Sequence, residues 1–153
     1  MPDTIHDGLS IDEMIAYMQS IGLRATRGDD SERLIHSSAG GWRFALFLNR
    51  PNAENRFSNV QFYASHNSRA FTIGDANDWN NDTRFASARY DRAGYPVVEY
   101  DAFINGVSEA YLGEVFAMWE ILMARFMESI GKNGGRTFVR ARAARAPDLR
   151  TGA

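Results

Sequence analysis

Three histidines, His6, His36 and His66, are the side chains best suited to proton transfer or metal ligation, and they stand thirty residues apart. No two share a helical turn, so the two-histidine zinc motif is absent. A metal site would need acidic partners brought in by the fold, and surface or hydrogen-bonded histidines are the plainer reading. Asp75, Asp78 and Asp82 suggest a calcium loop. An EF-hand counted from Asp75 needs glycine at its sixth place and glutamate at its twelfth, where Asn80 and Ala86 stand, so capping and turn roles fit better. Gly131-Lys132-Asn133-Gly134-Gly135-Arg136 is glycine-rich, but it trails a helix where a phosphate loop must precede one. With no cysteine, thiolate catalysis, disulfides and cysteine-bound zinc are excluded. Nothing resembles a nucleophile elbow. Glu99 and Asp101 share a strand face, which reads as edge charge opposing sheet aggregation. The expectation is a protein that is not an enzyme, with no catalytic, cofactor-binding or metal-ligating residues and no cofactor.

Binding surfaces are better signalled. Lys132–Ala153 gathers Arg136, Arg140, Arg142, Arg145, Arg150 and one lysine against a single aspartate, while the chain as a whole carries −2. Such a tail could supply salt-dependent phosphate contacts. It holds one aromatic, Phe138, so base stacking is barely provided for, and the body is acidic. Nucleic-acid contact through Arg136, Arg140, Arg142 and Arg145 is therefore the alternative reading. The stronger hint lies in two strands with apolar residues on both faces. Trp42, Phe44, Leu46 and Leu48 are opposed by Phe47, and Val60 and Phe62 by Phe57 and Tyr63. A sheet covered by helices on one side would leave Phe47, Phe57 and Tyr63 on an open face, a candidate partner-binding surface.

The elements that must hold these residues follow from pattern. The 153 residues, 44% hydrophobic, suit one domain with a real core. Neither an apolar leader nor a run of membrane-spanning length is visible, so a cytoplasmic protein without membrane contact is expected. Ser10 and Glu13 form a capping box ahead of a helix over Ile11–Ile21, ended at Gly22. Short strands are expected over 33–37, 42–48 and 56–65, joined by loops too short for crossovers. Thr72 caps a short helix over 71–82. A hairpin over 85–101 turns at Asp91–Gly94, and Pro96 argues that its return strand is an edge. Leu112, Val115, Phe116, Trp119, Leu122, Met123, Phe126 and Ile130 then make the wide apolar face of a helix over 108–130, closed by Gly131. Residues 132–153 read as a disordered basic tail beyond a domain of residues 1–131.

Trp79-Asn80-Asn81, Arg84-Phe85, Tyr90-Asp91, Gly94, Asp101, Gly106-Val107, Trp119 and Phe126 together resemble the YbjN family, small bacterial proteins sometimes labelled sensory transduction regulators. The helix ending in Gly22-Leu23 fits as well. The likeness spans residues 9–131 and is most specific over 79–119. It implies an α+β fold like that of type III secretion chaperones: a five-stranded antiparallel sheet with helices on one face, in the order α-β-β-β-α-β-β-α. Such chaperones bind partner proteins without chemistry and are often homodimers. The resemblance thus implies a chaperone- or adaptor-like protein-binding regulator, a homodimer with an unknown protein partner. It carries no catalytic residue with it. Trp79, Asn80, Arg84, Phe85, Asp91, Gly94, Asp101, Gly106 and Trp119 are expected to be structural.

Overall fold

The structure is a computed structural model describing residues 4–28, 32–68 and 70–144, with side chains described through residue 131. Its elements are β1 (Ile5–Asp7), α1 (Ile11–Ser20), β2 (Thr26–Arg27), β3 (Leu34–Ala39), β4 (Trp42–Pro51), β5 (Phe57–Ser65), α2 (Ile73–Asp82), β6 (Ser87–Tyr90), β7 (Pro96–Phe103), β8 (Asn105–Ser108) and α3 (Glu109–Ala144). Six strands form one antiparallel sheet in the order β2-β3-β4-β5-β7-β6, and β1 pairs with β8 in a separate ribbon.

Local chemistry explains where the helices begin. The Ser10 hydroxyl accepts from the Glu13 backbone N–H while the Glu13 carboxylate accepts from the Ser10 N–H, closing the box that starts α1. Thr72 and Asp75 repeat the device at α2. This is how a helix rich in Asn and Asp, otherwise poor helix formers, holds its first turn. In the β6–β7 hairpin, Gly94 takes φ of 86°, and the Asp91 side chain accepts from the Tyr95 N–H.

The core lies on one side of the six-stranded sheet. Phe44, Leu46, Val60, Phe62, Val98 and Ala102 meet Met14 and Met18 of α1 and Leu112, Phe116, Trp119 and Phe126 of α3. Phe62 is the hub. Its ring lies 5.1 Å from Phe116, 5.3 Å from Trp119 and 5.7 Å from Tyr100. Edge and tilted pairs of this kind each add about 0.5–1.5 kcal/mol beyond area burial.

Several expectations change. The main sheet has six strands, not five, because Thr26–Arg27 adds a short strand beside β3. Two residues are too few to show a period in the sequence. The return strand of the hairpin, β7, is interior, lying between β5 and β6. Pro96 is tolerated because it is the strand's first residue, where a missing N–H interrupts nothing. Phe57 is only 2% exposed and belongs to the core, so it is not on an open face. Leu9 covers it, its N–H donating to the Phe57 carbonyl and its own carbonyl accepting from the Phe57 N–H in return. Gly8 makes this crossing possible, since a Cβ there would stand 2.7 Å from the Phe57 carbonyl oxygen. Helix α3 runs on past Gly131 to Ala144 instead of stopping. A helical glycine costs only about 1 kcal/mol and does not by itself end a helix.

Candidate interaction surface

Among the described residues no helix covers the second face of the sheet, and register fixes what it displays. Leu34, Phe47, Gln61 and Asp101 lie abreast across β3, β4, β5 and β7. In the next row stand Thr26, His36, Ala45, Tyr63, Glu99 and Ser87. Phe47, 36% exposed, meets half-buried Tyr63 edge to face, with ring centroids 5.9 Å apart. Leu34 and Ala45 flank the pair. The face thus has an apolar centre, with Arg43 and the His36 imidazole on the β3–β4 side and the carboxyl groups of Glu99 and Asp101 on β7.

Electrostatics sharpen that division. Arg89 holds Glu99 through two hydrogen bonds, 2.6 and 3.0 Å, and its guanidinium stands 6.0 Å from the Tyr63 ring. The Glu99 hydrogen bond raises the Arg89 pKa. Burial raises the Tyr63 phenol, as does the neighbouring Asp91 charge. Asp101 is raised as well, first by desolvation and then by Glu99. Two carboxylates spaced this way on an interior strand cannot be edge charges. Glu99 is spoken for by Arg89, and Asp101 faces solvent on the uncovered side.

One edge of the sheet is occupied and the other is blunted against strand addition. Along β6, Trp79 donates its indole N–H to the Ala86 carbonyl at 3.2 Å. Asn80 accepts from the Ala88 N–H at 2.7 Å and donates to the Ala88 carbonyl at 3.0 Å, so its side-chain amide pairs as a strand would. At the other edge β2 is two residues long, and the Ser37 hydroxyl donates to the Arg24 carbonyl beside it. Trp79-Asn80 therefore has a structural purpose: it docks α2 on the sheet and occupies an otherwise free edge.

Where β4 begins and β5 ends, a pocket of about 470 Å³ opens between strands and α3, lined by Gly41, Trp42, Arg43, Ser65, His66, Asn67, Tyr95 and Met127. A shallower depression of about 310 Å³ adjoins it on the open face, and Arg43 and Ser65 line both. Sequence reasoning passed over Arg43, Ser65 and Trp42. The Gly40-Gly41 turn placed a Trp-Arg pair at a strand start, but only the β4–β5 pairing brings it to Ser65 and His66. The His66 ring lies 5.8 Å from that of Trp42, and its Nδ1 accepts the Ser68 N–H at 2.9 Å. Burial lowers the His66 pKa, and that hydrogen bond also favours the neutral ring.

Of the remaining motif residues, Asp91, Gly94 and Gly106 shape turns or strand ends and Trp119 fills the core, while Asp101 lies on the open face. Gly106 takes φ of 71° within β8, Asp91 forms the hairpin turn, and Trp119 is fully buried. Phe85 is unusual. Its φ is 75°, the Ala86 N–H donates back to the Arg84 carbonyl, and the side chain is 65% exposed with the Arg84 guanidinium 5.6 Å from its ring. The three histidines occupy three separate elements or loops. Among the described residues no group of three His, Asp or Glu is placed to hold a metal ion. Arg145 lies outside the described residues, as do the side chains of Arg136, Arg140 and Arg142.

A family model named YbjN, described as "Putative bacterial sensory transduction regulator", matches residues 10–132. The chain belongs to the YbjN family. The match takes in α1, the whole six-stranded sheet, α2 and α3 as far as residue 132, so every residue of the open face and the sheet-end pocket lies within the YbjN portion. No curated protein matches the chain. Among the described residues no helix is long and apolar enough to cross a membrane.

Proposed function

We propose that this YbjN protein is a non-catalytic adaptor in a regulatory pathway, and that it binds a partner protein on the uncovered face of its sheet. One observation carries the reading: exposed Phe47, packed on half-buried Tyr63, sits at the centre of that face, between a basic and an acidic side. Aromatic anchors ringed by polar groups are the usual energetic centre of a protein interface. The family description, a sensory transduction regulator, is compatible with such a role. The resemblance to type III secretion chaperones supports it at the level of fold analogy.

The occupied and blunted edges favour the face over strand addition as the mode of docking. A fitting partner presents an apolar side chain between an acidic group, to meet His36 and Arg43, and a basic one, to meet Asp101. Self-association, as the chaperone resemblance implies, would use the same face. A photo-crosslinking residue at Gln61, beside Phe47, tests this in cells. It should capture a discrete partner or a second copy, while the same probe at Ile121, exposed on α3, should not. Equal crosslinking at the two positions would refute the assignment.

A further inference from the structure

The pocket at the end of the sheet shares Arg43 with the docking face but has an aromatic wall of its own. We propose that it binds a small aromatic carboxylate, with Arg43 taking the carboxylate and Trp42 packing on the ring. Its volume of about 470 Å³ falls in the range of small-ligand sites. Among the described residues that line the two hollows, Arg43 is the one with a formal charge and none is a carboxylate. Among the described residues the Arg43 guanidinium has neither an ion pair nor a hydrogen-bonded acceptor, unlike Arg27, Arg56 and Arg89, which hold Asp12, Glu13 and Glu99. An unpaired guanidinium offers a planar fork that matches one carboxylate with two parallel hydrogen bonds.

The ring specificity comes from the walls. Trp42 is 37% exposed and lines the hollow beside the His66 ring. Tyr95 and Met127 complete the apolar lining, with Ser65 and Asn67 adding neutral hydrogen-bonding groups. A single cation on an otherwise neutral, aromatic wall selects a monoanion joined to a flat apolar group. Inorganic phosphate, which needs several charged donors, is a poor match.

The test is a titration of the full chain, labelled with ¹⁵N, followed through the indole N–H signals of its three tryptophans. With 2-naphthoate as probe, the Trp42 signal, assigned by loss in Trp42→Phe, should shift saturably with a Kd of about 1 mM or tighter. Trp79, hydrogen-bonded to Ala86, and Trp119, sealed in the core, should stay in place. Arg43→Gln, a surface change, should weaken binding at least about tenfold, as should replacing the acid by neutral 2-naphthamide, because each removes a charge-assisted pair. Phe47→Asp should leave the titration unchanged, which separates this site from the docking face. The proposal is overturned if naphthoate gives no saturable shift by about 10 mM, or if the amide or Arg43→Gln binds as well. A tripeptide ending in phenylalanine that binds when naphthoate does not would also overturn it, moving the carboxylate's source to a chain terminus.

Discussion

Asn80 closes a sheet edge with one side-chain amide, engaging both backbone groups of Ala88. Asn80→Ala should strand that N–H and carbonyl at a half-buried edge, so chemical denaturation should show a loss of about 1–3 kcal/mol. Asn80→Asp, which keeps the acceptor but not the donor, should lose part of that. Phe85 presents the converse case, a non-glycine residue held at φ of 75° with its ring in solvent. Such strain costs about 1–3 kcal/mol, and glycine entropy returns about 0.5–1. Phe85→Gly should therefore stabilise the fold modestly, whereas Phe85→Ala should not. Neither role was legible in the sequence. Asn80 finds its partner eight residues on, across a helix–strand packing that only the fold creates. A phenylalanine is among the last residues one would place at positive φ. The family resemblance includes both residues: the Asn80 contacts give it a structural reason, and the exposed, strained Phe85 has none in its packing.

At the scale of elements, what could be read was what is encoded locally. The Ser10–Glu13 box, the Thr72 cap, the Asp91–Gly94 turn and the periodic face of α3 each depend on neighbours within a few residues, and each appears where expected. Ser10→Ala should cost about 1 kcal/mol by thermal or urea unfolding. Strands β1, β2 and β8, of two to four residues, show no period in the sequence, whereas the equally short β6 is legible through its hairpin turn. Phe57 was misplaced because its burial comes from a distant segment, Gly8-Leu9, which alternation along β5 does not reveal. The loop after β5 adds a pH dependence. Folding lowers the His66 pKa from its ordinary 6.5, so as pH falls below that value the unfolded chain takes up its proton first. Stability should therefore decline on acidification from about pH 6.5 down to the folded-state pKa. Asp101 has the opposite sign, since its raised pKa opposes folding once it is ionised. Calorimetry of His66→Asn, which retains an acceptor for the Ser68 N–H, should show the decline removed in that window.

For the molecule as a whole, the layering decides what can interact. One face of the sheet is sealed by α1 and α3, one edge is occupied and the other blunted, and the other face is open with an aromatic pair at its centre. The two-faced apolar character of β4 and β5 was visible in the sequence and pointed to Phe47 and Tyr63. What could not be read was the charge arrangement around them, because Arg43, Glu99 and Asp101 come together only through the register of three strands. The most direct test compares capture of partners from native cell extract by the wild-type chain and by Phe47→Asp. That substitution should keep the fold, as judged by circular dichroism and a stability change within about 1 kcal/mol. The account predicts that proteins retained by the wild type, or a second copy of the chain, are lost from the variant while the basic tail is unchanged. Retention of the same partners by folded Phe47→Asp would contradict it.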